Sequence, residues 1–358
     1  MKIKDILTNY SILPKRLLSM KLASINYIFL IFCIQFVNCA YLTAQDFPTP
    51  IIGNDLVRSG VTNASPGKGV SIEYFLHPSY NLNNNFAENG GEETADVDSK
   101  KFIETKLKIP LANKDAFRML LGFSHTYEKY DFNKIEEESS VLLKAINDVP
   151  LRRTRASLIV FLSLNHKNYF AFRAETSFNG NYEGIVDFDK RYRVYRGALI
   201  YGVKKQPHKE IAWGLTYNNS FERTLLLPFL VWNQTFNDKW GIETVLPLKI
   251  TVRRNFKHND MLLFGTDYWS SGYSMDIIQR GQVSPDRFIF KSSALHLFVD
   301  YQKRLISDWT WISLKTGWAY NFDSRFIQVA TDTDIDAFPS NNLFISLGFF
   351  VSPPDRVQ

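Results

Sequence analysis

Six histidines, His77, His125, His166, His208, His258 and His296, are the residues whose chemistry has to be asked about first. No two of them stand at the i, i+4 spacing that places two imidazoles on one helical face for a metal ion. No Cys/His cluster of the kind a structural zinc needs accompanies them. Most lie in or beside turn-rich stretches, the ordinary setting of a solvated histidine. His125 and His296 instead fall within alternating stretches, where they could serve a hydrolytic site assembled from separate strands, an arrangement that leaves no local motif. A G-x-S-x-G elbow and a Gly-rich phosphate loop are both absent from the sequence. The acidic run "ENGGEETADVD" (88–98) is oxygen-rich enough to suggest calcium, but it lacks the spacing of a calcium loop and reads as a solvated connection. No catalytic residue, metal or cofactor is predicted.

What remains is charge set at a regular interval. Arg155, Arg173, Glu175, Glu243, Lys249, Arg253, Asp267, Asp300 and Lys315 fall on the polar faces of segments that alternate with period two. Side chains alternate sides along a strand, so such residues share one face of a sheet. If that face is turned inward, mixed charge has two uses. It can form salt bridges that stiffen a filled interior, or it can line a water-filled path that filters solutes.

The elements that would position these charges repeat along the chain. In "TRASLIVFLSLN", Ala156, Leu158, Val160, Leu162 and Leu164 oppose Arg155, Ser157, Ile159, Phe161 and Ser163. "NYFAFRAETSF" sets Phe170, Phe172, Ala174 and Phe178 against Tyr169, Arg173, Glu175 and Ser177, and "EIAWGLTYNNSF" and "WTWISLKTGWAYN" do the same. A soluble sandwich would also alternate. The segments are long, however, at ~10 residues or more, as a tilted crossing of a bilayer requires. Aromatic residues make up 15% of the chain, and Tyr127, Tyr130, Tyr169, Tyr192, Trp240, Trp309, Trp311 and Tyr320 sit at segment ends, where a headgroup belt would hold them.

Connections alternate between long and short. The long ones are 79–100, 129–153, 273–286 and 322–342; the short ones lie near 111–115, 165–167, 205–209, 257–260 and 304–308. Short turns at one end and long loops at the other are the pattern of bacterial outer-membrane barrels. Within the long connection 129–153, "EEESSVLLKAIN" (136–147) predicts a short helix, in an outer loop or folded into the lumen, with the surface position preferred. "FNDKW" reads as a tight reversal between Pro228 and Pro247; if Pro247 ends one strand and another begins, the count is 14, otherwise 12. The last strand, "NLFISLGFFV", is aromatic-rich like the terminal signal of barrel assembly, although "SPPDRVQ" follows it. The fold class predicted is all-β, a transmembrane antiparallel up-and-down barrel of about 12–14 strands.

The segment ending in "TAQ", the stretch "LLPFLVWNQTFNDKWGIETVLPLKITVRRNF" and the terminal aromatic strand together resemble an uncharacterised family of Gram-negative outer-membrane β-barrels with a domain of unknown function. The resemblance spans nearly the whole chain after Ala44. It implies fold and location, and no reaction.

The apolar run Ile25–Val37 is too short to span a bilayer as a helix, which takes ~20 residues. With Lys15, Arg16 and Lys21 before it and Leu42-Thr43-Ala44 after it, it reads as a secretory signal over 1–44. Residues 1–19 form an upstream extension, or the true start is Met20. Acylation of Cys39 is the alternative, poorly matched by Phe36 and Asn38. Residues 1–44 carry five basic residues and Asp5, so their removal takes the formal charge from +6 to about +2 and nucleic acid is not an expected partner.

The organisation predicted is therefore a signal peptide over 1–44, a periplasmic segment over 45–66, a barrel over 67–351 and a tail over 352–358. The expected partners are outer-membrane lipid, barrel-assembly machinery and small polar solutes. The function predicted is a pore. The alternatives are a non-conducting barrel that binds a partner through its long loops and, third, a barrel-embedded hydrolase. Mass spectrometry of the membrane-extracted protein is expected to find Gln45 as its first residue; lipid on Cys39 would establish the anchored alternative instead.

Overall fold

The computed structural model describes residues 56–57, 59–84, 93–133, 141–221, 224–256, 259–278, 284–305 and 309–352. The signal segment with both cysteines, residues 45–55 of the predicted periplasmic segment and residues 353–358 of the tail lie outside the described residues. Strands β1 (Val70–His77), β2 (Tyr80–Asn84), β3 (Glu93–Asn113) and β4 (Phe117–Phe132) precede the one α-helix among the described residues, α1 (Val141–Asp148). Then follow β5 (Leu151–Ser163), β6 (Asn168–Gly180), β7 (Arg193–Gln206), β8 (Lys209–Asn219), β9 (Thr224–Thr235) and β10 (Trp240–Leu246). The chain ends with β11 (Lys249–Phe256), β12 (Asp260–Ile277), β13 (Asp286–Arg304), β14 (Thr310–Gln328), β15 (Thr333–Pro339) and β16 (Asn342–Val351).

Each strand from β3 to β14 pairs antiparallel with its sequence neighbour, and β1 closes the ring by pairing with both β16 and β3. At the long-loop end β2 and β15 close it a second time, because β2 joins β3 and β15 joins β14. β1 with β2, and β15 with β16, are thus two interrupted strands, and the wall is a closed antiparallel barrel of fourteen. The count is settled at the proline-flanked stretch. Phe236 and Asn237 donate to the Trp240 carbonyl in the reversal between β9 and β10, and Pro247 separates β10 from β11. Pro228 lies beyond the last β9–β10 pair, Leu230–Leu246, where no ladder on that side needs its missing N–H.

The wall rises further than polarity alone predicts. β2 and the start of β3 occupy the stretch read as a 79–100 loop, β15 occupies part of 322–342, and the β12–β13 ladder runs to Ile277–Asp286. Beyond a membrane a strand still needs its hydrogen bonds but no longer an apolar face, so polar composition does not end it.

The helix is also placed differently from the surface position preferred above. Leu142, Leu143 and Ile146 of α1 are buried with Leu82, Val97, Tyr130, Phe288 and Phe326, which come from strands all round the long-loop end. The helix therefore fills the barrel's interior there. Its hydrophobic face, too small to sustain a free helix of eight residues, is held by this surrounding wall. The aromatic belt needs a similar correction. Tyr127, Trp309 and Tyr320 are exposed, but Tyr130, Tyr169, Tyr192 and Trp311 are buried. A segment-end position does not say which face the ring takes.

Above the short β10–β11 hairpin the wall is pinched, because β12 touches β6 directly, Ser274 against Gly180. A Cβ on Gly180 would stand 2.6 Å from the Ser274 carbonyl oxygen and overlap the Tyr192 ring, so this approach requires glycine. Gly180→Ala is expected to destabilise the barrel by about 1–3 kcal/mol, the usual cost of overpacking. The temperature at which the folded form loses its distinct electrophoretic mobility should fall, with a β-rich circular dichroism spectrum retained below it. An unchanged transition would mean that β6 and β12 do not meet.

Candidate functional site: the barrel lumen

The two faces of the wall differ in chemistry. Ile103, Phe172, Trp213, Leu230, Leu314 and Leu347 are among the large apolar side chains exposed on the outside. They recur on strands around the whole ring, a continuous apolar surface of a kind that soluble monomers do not carry. The opposite face carries the charge, and its layers can be followed from the long-loop end.

Beneath α1, Glu128 is fully buried and fully answered. Tyr130 and Tyr273 donate to its two oxygens at 2.9 and 2.7 Å, and Lys100 pairs with it at 2.8 Å. Without such partners a buried carboxylate is strongly unfavourable. Nearby, a ring of aromatics surrounds His296, with Trp269 stacked on it at 5.8 Å and Phe344 at 4.7 Å, while His77 places Nδ1 2.9 Å from Asn342 Oδ1.

The middle of the lumen has two unlike walls. On β5–β7, Glu175 receives Arg155, Arg173 and Arg196 at 3.0, 2.6 and 3.1 Å. Glu104 is paired with Lys106 at 2.6 Å. Although both face inward, the Arg173 and Lys106 side chains keep 45% and 37% of their surface exposed, so the space before this wall is open to water. Across from it, Lys249 stands opposite Asp267 and Asp300 opposite Lys315. Asp300 accepts from Ser313 at 2.6 Å and Gln302 at 2.7 Å, whereas Lys315 points its ammonium at Phe298, 4.3 Å from the ring centre. A cation over an aromatic face is held by the ring quadrupole rather than by a counter-charge.

At the short-turn end, Arg253 is wholly buried; it donates through Nε to Glu243 at 3.2 Å and through an Nη to Thr235 at 3.0 Å. Gly241 leaves the room its guanidinium takes. Across this end runs the segment before β1. Ser163 donates to the Val57 carbonyl at 2.6 Å, Gly60 N–H to Glu210 at 2.9 Å, Thr235 to the Thr62 carbonyl at 2.6 Å, and Ser65 to Glu243 through its N–H at 2.9 Å. Four residues later Gly69 N–H reaches the Val351 carbonyl at 2.8 Å on the far wall. Four residues extend at most about 14 Å, so the segment is a strap drawn from wall to wall.

Of the residues chosen from sequence, Arg155, Arg173 and Glu175 form one cluster, Glu243 and Arg253 a second, and Lys249, Asp267, Asp300 and Lys315 line the remaining wall. Sequence reasoning missed Arg153, Arg196, Glu104, Lys106, Lys100 and Glu128. The signal was available, since Lys100, Phe102, Glu104 and Lys106 alternate in phase, but assigning 79–100 and 129–153 to loops cut it short. The two strand-borne histidines do not meet. His125 faces outward with Phe123 and Tyr127 and hydrogen-bonds Thr154 Oγ1 at 2.8 Å, while His296 faces in.

Among solved structures, an outer-membrane channel from Pseudomonas putida F1 is similar at 8% identity, over 82% of this chain and 99% of that one, with a TM-score of 0.40. The P. putida toluene transporter TodX aligns at 8% identity over 80% and 91%, with a TM-score of 0.36. A Pseudomonas aeruginosa FadL homologue aligns at 9% identity over 80% and 90%, with a TM-score of 0.38. The strand pairings described above, rather than these distant likenesses, define the architecture. No curated protein matches the sequence. Residues 62–305, which run from the strap through β13, match a domain of unknown function, and the chain belongs to that family, DUF6268.

Proposed function

We propose that this protein is an outer-membrane channel for small polar solutes whose lumen is closed at rest. The observation that carries the reading is the exposure of Arg173 and Lys106 inside the barrel. Charges serving only as packing would be sealed and neutralised; these are wetted. The outer apolar face supports a lipid surrounding, and a closed sheet is one of the two structures that satisfy every backbone group there. No helix among the described residues is long and apolar enough to cross a membrane. Insertion would draw on barrel-assembly machinery reading β16, whose outward residues include Leu343, Ile345, Leu347 and Phe349.

Two pieces close the path, and both are small. α1 fills the long-loop end with an apolar face, and the strap spans the other end through main-chain and hydroxyl hydrogen bonds. Removing α1 costs the barrel wall no ladder pair, so the helix can move without opening the ring.

Planar-bilayer conductance tests the reading. The parent protein should give infrequent openings, and replacing residues 141–148 with a Gly/Ser stretch of equal length should raise the open probability. Arg173→Glu should shift the reversal potential towards cations, because lumen charge sets the local field. Silence from both the parent and the helix-replaced protein, each with folded-barrel mobility, would overturn the channel and favour a non-conducting barrel acting through its loops.

A further inference from the structure

The wall formed by β3 to β7 holds more positive charge than its carboxylates answer. Glu128 is taken by Lys100, Glu104 by Lys106, and Glu175 by three arginines. Arg153 lies in the field of all three carboxylates but makes a direct ion pair with none of them. It is 5% exposed, and its Nε is buried without a hydrogen-bond partner. Burying a guanidinium with an unmet donor is costly even where carboxylates nearby balance its charge.

Orphaned polar atoms surround it. Arg153 stands directly opposite Thr126 on β4 and Asn179 on β6, and Ser177 is the next inward residue along β6. Facing side chains at such pairs start about 4.5–5.5 Å apart at Cβ. Thr126 Oγ1, Ser177 Oγ and Asn179 Oδ1 are all buried and without a partner. The Asn179 amide is oriented by its own Nδ2, which donates to the Gly272 carbonyl at 3.2 Å, so Oδ1 is the atom left over. Beside this row Arg155 faces Ser177.

We propose that this row is a binding site for a small oxyanion that carries a hydroxyl group, hydrogen phosphate being the simplest. Its oxygens accept from the Arg153 guanidinium and from the Thr126 and Ser177 hydroxyls. Its own O–H donates to Asn179 Oδ1, the one group here that a fully deprotonated anion leaves unanswered. Arg155 adds charge from the next register position, and Arg173 and Lys106 bring the anion in from the wetted lumen. The site deepens the channel reading by naming its solute, and it rests on that reading only for transport; binding stands or falls at equilibrium.

Calorimetric titration of the folded, detergent-held barrel with inorganic phosphate, and separately with sulfate, tests it at constant ionic strength. The parent should bind one phosphate saturably and sulfate more weakly. Arg153→Gln should weaken phosphate by about tenfold or more, as loss of a charge-assisted contact does. Thr126→Val and Ser177→Ala should each weaken it several-fold, and they decide the matter if Arg153→Gln does not give a folded barrel. Absence of saturable phosphate binding by the parent, equal affinity for sulfate, or unchanged affinity in the hydroxyl variants would overturn the site. Phosphate binding by a barrel that never conducts would keep the site and remove the channel, whereas conduction without binding would do the reverse.

Discussion

Ring closure is the constraint on which the rest depends. A backbone N–H or C=O left unpaired in hydrocarbon costs several kcal/mol, so a sheet in lipid cannot have an edge. Here the edge is removed by β1, whose two ladders, to β16 and to β3, join the chain's last strand to its first full-length one. Once those pairings fix the register, every alternating residue has its face decided, because a slip of one residue would exchange lipid-facing and lumen-facing sets throughout. The doubled closure by β2 and β15 carries the same solution past the point where the strands break at 78–79 and 340–341. The lumen's chemistry is therefore a consequence of closure: fourteen strands must put one side of each pleat inside, and whatever stands there must be hydrated, paired or packed.

The three outcomes are distributed by height. At the long-loop end the inward residues are apolar, and a helix from the β4–β5 connection packs them. Next come buried polar groups answered one by one, as at Glu128. Only in the middle does charge remain wetted. At the short-turn end the strap's backbone accepts from Ser163 and Thr235 and donates to Glu210 and Glu243, while Arg253 Nη1 and Thr251 Oγ1 are buried without a partner. The two closures are unlike in a way that bears on opening. Displacing α1 exposes apolar surface and is opposed by the hydrophobic effect, while displacing the strap exchanges protein hydrogen bonds for water at small net cost per bond.

Much of the wall was legible from residues alone, and the failures share a cause. Alternation in 155–165, 169–178 and 310–320 assigned faces that the ladders reproduce, because one face meets a uniform apolar surrounding. Where the outward face is polar and the inward one carries only the small apolar pair Ala95 and Val97, as in 93–100, the period is faint and the stretch reads as loop. α1 was legible as a helix from "EEESSVLLKAIN", but its place inside the barrel depends on apolar residues from β2, β3, β12, β13 and β14, which no local pattern brings together. Arg253 with Glu243 could be chosen on phase, yet the dependence of that pair on Ser65, 178 residues from Glu243 in sequence, is a property of closure.

The lumen's two walls show why equal alternation does not produce equal electrostatics. Asp267, Asp300 and Glu243 spread their charge along β10 to β13, where the Lys315 ammonium also lies over three phenylalanines, 4.3 Å from Phe298 and 5.9 Å from both Phe75 and Phe344. Asp300 meanwhile accepts from Ser313 and Gln302. The β3–β7 wall does the opposite: it concentrates arginine, whose delocalised charge is more weakly hydrated than an ammonium and tolerates close packing with its own kind around one shared carboxylate. Glu175 with three guanidiniums is such an arrangement, and it neutralises one charge in three. A barrel that needed only rigidity would gain more from matched pairs, or from apolar replacements of similar volume. The surplus positive charge on one side of a wetted space is therefore better understood as a field directed at something that enters the space.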